Sequence, residues 1–179
     1  APADPRPSVH LGRIADGRRQ TDVALARYRK ALELDPAFLP AVHHLASGLR
    51  DSGSHEEAAR IIAAALARRP EETSLRLNLA QTYLKMGAWE AAAGEFRLSA
   101  SKAGAGDVPP IRYFLGRALE ELGRDEEAIE SLRAAVRLDP RLHHAWYALA
   151  RLLEKRGEPA EAAKALAEFE KARAFQDEI

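Results

Sequence analysis

The chain has 179 residues, enough for one ordinary domain or a single repeat array. Its 27 basic and 27 acidic residues cancel and no Lys/Arg-rich block occurs, so the many phosphate contacts behind nucleic-acid affinity are not provided for. No apolar run approaches the roughly 20 residues that span a bilayer, and the absence of cysteine removes disulfides, thiolate metal sites and cysteine nucleophiles together.

Nor is there the polybasic or amphipathic bias that holds a chain on an anionic membrane. Ala, Leu, Arg and Glu dominate, β-branched and aromatic residues are sparse, and no useful stretch alternates with period two. The expected class is all-α. The chain starts at Ala1 rather than Met, which leaves an upstream signal or domain open and the compartment undetermined.

Residues 1–7, "APADPRP", read as a Pro-rich linker, with helical array over 8–179. From about residue 5 one unit recurs: 5–38, 39–72, 73–106, 109–142 and 143–176. Leu11-Gly12, Leu45-Ala46, Leu79-Ala80, Leu115-Gly116 and Leu149-Ala150 are one repeating pair. Thirteen residues after each Leu comes Ala24, Ala58, Ala92, Ala128 or Ala162, and four further on Tyr28, Ile62, Phe96, Leu132 or Leu166. Gly53, Gly87, Gly123 and Gly157 sit eight residues after their Leu, whereas the first unit has Gly17 two residues early.

Each feature has a steric job. A small residue after Leu lets a second helix approach, and the later Ala is the matching flat spot. The Gly ends the first helix by taking the left-handed conformation. Acidic residues after it, as in "GSHEEA" and "GRDEEA", suit the start of a second helix, and Pro stops that helix. Pro36 and Pro140 lie 104 residues apart, three periods of 34 plus two. Gly104 stands where the third unit should have proline and the register resumes at Pro109-Pro110, so a two-residue insertion is expected near 101–108.

This pattern resembles the tetratricopeptide repeat (TPR) family, whose 34-residue unit reads W-x₂-L-G-x₂-Y, then Ala, Phe/Tyr and Pro. Trp146-x₂-Leu149-Ala150, and Tyr28-x₂-Ala31 with Pro36, carry the likeness most closely. The resemblance implies a right-handed superhelical solenoid of five antiparallel helix hairpins, whose first helices line a concave groove. It also implies a noncatalytic scaffold for protein partners.

No catalytic constellation competes with that reading. His43-His44 and His143-His144 are adjacent pairs, and neighbours on a helix point about 100° apart, too divergent to chelate one ion well. No H-E-x-x-H spacing appears, and "GAGDV" has neither a Walker lysine nor a preceding strand. Glu56-Glu57 and Glu126-Glu127 are accounted for by the helix dipole, and Trp89 and Trp146 by packing. No enzyme activity, cofactor or metal is expected.

A stripe out of phase with the packed face should line the groove. It contains Val9, Arg13 and Asp16; His43, Ser47 and Arg50; Leu77, Asn78, Gln81 and Leu84; Tyr113, Arg117 and Glu120; and His144, Tyr147, Arg151 and Glu154. The candidate peptide-binding residues are Arg13, His43, Ser47, Leu77, Asn78, Gln81, Tyr113, Arg117, Tyr147 and Arg151. Aromatic and arginine anchors imply a protein or peptide partner with apolar anchors and a carboxylate. The bland alternative pairs Arg117 and Arg151 with Glu120, Glu121 and Glu154 on their own helices. The Lys/Asn clamp by which some TPR proteins hold a C-terminal carboxylate is not reproduced: units one to three offer Val9, Arg13, His44, Ser74 and Asn78 instead.

Phe169 stands where the other units have Ala31, Ala65, Ser99 and Ala135. With Leu166 and Phe175 it is expected to form an apolar C-terminal edge, covered by an extended last helix or used for self-association. Two other readings stay open: an accessory domain of a larger enzyme or sensor, and a structural protein assembling through its repeat ends.

Overall fold

The computed structural model describes residues 4–101 and 108–177. Ten helices and no strand occur among the described residues. They are α1 (Arg6–Gly17), α2 (Thr21–Leu34), α3 (Leu39–Asp51), α4 (His55–Arg68), α5 (Thr73–Met86), α6 (Trp89–Ser101), α7 (Pro109–Glu121), α8 (Asp125–Leu138), α9 (His143–Lys155) and α10 (Pro159–Asp177). The insertion expected near 101–108 falls on residues 102–107, outside the described residues.

The chain divides into two compact units, one ending at Ala88 and the other starting at Trp89. The first holds α1 to α5, the second α6 to α10. Within each, the extensive packing is between consecutive helices, with α3 also touching α5. This nearest-neighbour order is that of a helical-repeat array. The expected linker is shorter than 1–7, because α1 already starts at Arg6. Pro5 takes the cap position and Pro7 lies in the first turn, where its missing N–H is one the helix leaves unpaired in any case.

The helix ends explain the recurring punctuation. The first helix of every repeat stops in the same way, with an N–H bonding back five residues: Gln20 to Ala15, Ser54 to Leu49, Ala88 to Tyr83, Arg124 to Leu119 and Glu158 to Leu153, all at 2.8–3.0 Å. This closure needs a left-handed residue just before the donor. Gly53, Gly87, Gly123 and Gly157 fill that position at φ of 70–81°. In the first repeat it is filled by Arg19 at φ 58°, not by the early Gly17. At the other turn, Asp35 and Asp139 accept the N–H of Ala37 and Arg141 at 3.0 and 2.9 Å. The Leu-Asp-Pro phrase is thus a helix stop with a side-chain-braced turn.

Small-on-large contacts set the hairpin spacing. Ala24, Ala58, Ala92 and Ala128 are fully buried, and Tyr28, Ile62, Phe96 and Leu132 are at most 1% exposed. A Cβ added to Gly12 would lie 2.4 Å from Tyr28 Cε1, and one on Gly116 would lie 2.8 Å from Leu132 Cγ. These glycines are therefore set by close approach of the second helix. The pattern breaks at the ends. Leu45, Leu79, Leu115 and Leu149 are buried but Leu11 is exposed, and Leu166 is exposed where Leu132 is buried. The same residue at the same register loses its burial where no further helix among the described residues packs against it.

The second helices also carry an ion-pair ladder. Arg29 binds Glu57 at 2.8 Å in the first unit, while Arg97 binds Glu127 at 2.9 Å and Arg133 binds Glu161 at 2.6 Å in the second. The corresponding positions between the second and third repeats hold Ala63 and Ala91. Such partly exposed pairs contribute at most about 1 kcal/mol each, but they fix which residue faces which.

Candidate peptide-binding surface

In the first unit the candidate residues divide into free and engaged side chains. Arg13 is exposed, while Val9, one residue of the same stripe, is buried in the core. That corrects its expected place in the groove. Asp16 accepts the Tyr28 hydroxyl at 2.5 Å, and Ser47 lines a polar cleft of about 340 Å³ with His44 and Asp51. Leu77 and Gln81 are half-buried on α5.

His43 is held in a chain of hydrogen bonds between α3 and α5. Asn78 Nδ2 meets its Nδ1, and Ser74 Oγ lies 3.2 Å from its Nε2. Ser74 donates to Glu72 at 2.8 Å, and Arg50 donates to Asn78 Oδ1 at 3.4 Å and to Thr82 Oγ1 at 3.3 Å. Since the Asn78 amide can only donate through Nδ2, His43 Nδ1 must accept, and its Nε2–H then points at Ser74. The network selects a neutral imidazole. Burial pushes the His43 pKa below its ordinary value, opposed by Glu72. Two of the ten candidates, His43 and Asn78, thus bind each other, and their role includes joining repeats.

The second unit brings four candidates together. Tyr113 and Arg117 on α7 and Tyr147 and Arg151 on α9 line one cleft of about 470 Å³, together with His144 and Ala148. Tyr147 is 53% exposed and its ring packs at a tilt against Phe169, with centroids 5.5 Å apart. Tyr113 lies 6.4 Å from the His144 ring, and Arg117 donates to the Tyr113 hydroxyl at 3.2 Å.

The expected same-helix pairing holds for Arg117 with Glu120 but not for Arg151. Arg151 bonds Glu120 across the helix interface, on α7, rather than Glu154 on its own helix. Arg117 Nε lies 3.8 Å from the other oxygen of the same carboxylate. The Glu120 side chain is only 11% exposed, so the two arginines flank a largely desolvated carboxylate. Two guanidinium groups share one acid, and donors remain for a second. The signal that could have found this is the spacing. Glu120 to Arg151 is 31 residues, as is His43 to Ser74, which is one period less about one helical turn and places residues on facing turns of neighbouring first helices.

At the C-terminal edge, Phe169 is half-buried against His143 and Tyr147, with Arg173 over its ring at 5.6 Å. Helix α10 runs for 19 residues, and Arg141 sits 4.2 Å over Phe175. Leu166 and Phe175 stay exposed. Trp146 is a packing residue, donating from Nε1 to the Pro140 carbonyl at 2.9 Å. Among the described residues no three His, Asp or Glu side chains gather as a metal site, and no helix is long and apolar enough to cross a membrane.

No curated protein matches this chain in sequence. Its fold is similar to that of the crystal structure of MamA, with TM-score 0.86, 17% identity, and coverage of 94% of this chain and 98% of that one. It is equally similar to MamA 41-end from Desulfovibrio magneticus RS-1, with TM-score 0.88, 18% identity and 99% coverage of both. At such identity the likeness concerns the fold alone. The tetratricopeptide repeat matches residues 49–104 and again residues 113–177. Taken with the shared helix stops and the recurring small-on-large contacts, this establishes that the chain belongs to the tetratricopeptide repeat family, whose arrays act generally as scaffolds for protein partners.

Proposed function

We propose that the protein is a noncatalytic interaction module whose first helices hold a segment of a partner protein. The reading is carried by one observation: α7 and α9 present Tyr113, Arg117, Tyr147 and Arg151 around a single cleft. The corresponding face of the first unit, with Arg13, His43, Ser47, Leu77, Asn78 and Gln81, is assigned the same role. Half-exposed tyrosines supply rigid apolar contact, and arginine supplies forked donors. The partner segment combines an apolar anchor with at least one carboxylate, which reaches the donors of Arg117 left over from Glu120.

The test must respect Glu120. Reversing Arg151 would leave that carboxylate desolvated and opposed, which confounds binding with folding. Arg117→Gln and Tyr147→Ala touch exposed groups and leave the Arg151–Glu120 bond in place. Peptides selected from a displayed library on the wild-type protein should lose about tenfold or more in affinity for each variant, or roughly 1.4 kcal/mol. Their binding should also weaken as salt rises. Affinities unchanged in both variants, or a footprint confined to the second helices, would refute the assignment.

A further inference from the structure

The outer stripe of α1 has an equivalent in every later repeat. Pro7, Leu11 and Ile14 occupy the positions of Ala41, Leu45 and Gly48 in α3, and of Leu75, Leu79 and Thr82 in α5. In the second unit the same positions hold Ile111, Leu115 and Ala118 in α7, and Ala145, Leu149 and Leu152 in α9. From α3 onward all are buried except Gly48, which is half-buried. Their cover is the preceding second helix: α2 on α3, α4 on α5, α6 on α7 and α8 on α9. Gly48 reports that contact directly, since a Cβ there would lie 2.8 Å from Leu25 Cδ2 of α2. The stripe is therefore a helix-accepting surface. On α1 it is uncovered, with Leu11 45% and Ile14 41% exposed.

The charges beside it define the helix that fits. Within the array, an arginine on one second helix reaches a glutamate on the next. On α2 the glutamate's position holds Val23, itself 49% exposed, so an incoming arginine finds no acceptor. Four residues on, where later repeats have Ile61, Glu95, Ser131 and Ala165, stands Arg27. Arg18 continues the α1 stripe one turn past Ile14. Neither arginine has an ion-pair partner within 4.0 Å among the described residues. Residues 4–34 carry seven Lys/Arg against four Asp/Glu, in a chain whose total charge is zero.

We propose that this outer face of the first hairpin docks an acidic amphipathic helix of a protein partner. Its apolar stripe seats on Leu11, Ile14 and Val23, and its carboxylates reach Arg18 and Arg27. Burying an apolar stripe supplies the attraction, and the flanking charges select the partner. A second copy of the chain fits less well. Two such faces would oppose like charges, and on α10 Lys171 is already paired with Glu168 and Phe169 already seated against α9.

The test uses the whole chain and two stapled helical peptides of about 20 residues, long enough for a stable stripe. Both carry the same leucine stripe, flanked by glutamates in one and lysines in the other. They are titrated by fluorescence anisotropy against wild type, Leu11→Glu/Ile14→Glu and Arg18→Glu/Arg27→Glu, with circular dichroism checking the fold. The glutamate peptide should bind wild type about tenfold or more tightly than the lysine peptide, weaken with salt, and lose about tenfold or more in each variant. Absence of binding, equal binding of the two peptides, or binding that survives Leu11→Glu/Ile14→Glu would overturn the proposal. So would sedimentation showing wild type self-associating where that variant stays monomeric, which would assign the face to a second copy.

Discussion

Replacing Gly12 by Ala sets two effects against each other. Helix propensity favours the change by about 1 kcal/mol, because alanine restricts the unfolded chain and glycine does not. Sterics oppose it. The new Cβ would lie 2.4 Å from Tyr28 Cε1, and ordinary contact begins at 3.4 Å, so the ring must withdraw or the helices must part. The ring cannot withdraw freely: it is 1% exposed, stacked on His44 with centroids 5.1 Å apart, and tethered by its hydroxyl to Asp16 at 2.5 Å. Overpacking a pinned core site costs roughly 1–3 kcal/mol, and losing the tether adds about 1 kcal/mol. The expected net change is a destabilisation of about 1–3 kcal/mol. Gly94→Ala in α6 is the control, since a Cβ there meets nothing within 4 Å. It should stabilise by about 0.5–1 kcal/mol. Urea unfolding of both variants, with unchanged slopes, measures the pair. The same sign for both, or a stabilising Gly12→Ala, would show that close approach does not decide this position.

Arg19→Gly should stabilise by about 0.5–1 kcal/mol in thermal or urea unfolding, because relief of left-handed strain exceeds the added freedom of the unfolded chain. Burial first, and then the bond to Asp16, raises the Tyr28 pKa well above its ordinary 10, so the folded state keeps the proton that the unfolded state releases. Stability should therefore fall as pH rises beyond about 10, and Tyr28→Phe should flatten that part of the profile. His43 is shifted the other way, below 6.5, so its contribution is present above that pH and lost as pH falls from 6.5 toward its folded value. The slope of unfolding free energy against pH in that window should be steeper in wild type than in His43→Gln; equal slopes would remove His43 from the account.

What the residues determined alone is local and periodic. Leu-Asp-Pro stops a helix because proline lacks the N–H and the Asp35 or Asp139 carboxylate braces the turn, and both causes lie within four residues. Gly53, Gly87, Gly123 and Gly157 end the first helices for an equally local reason. Repetition of these signals in one register was enough for the fold class, and the same phase argument on each first helix picked out Tyr113 and Arg117 on α7 and Tyr147 and Arg151 on α9, which line one cleft. Effects that depend on a neighbouring helix were decided only in three dimensions. Leu11 and Leu45 read alike, yet one is exposed and the other buried, because burial belongs to the hairpin that lies beyond. Arg19 takes a glycine's conformation since the hairpin closure, not its own preference, sets that backbone. Glu120 finds Arg151 across the interface as well as Arg117 on its own helix, and His43 finds Asn78 rather than solvent. In both cases the contact crosses a helix interface, and a half-buried polar group takes the partner that desolvation leaves within reach.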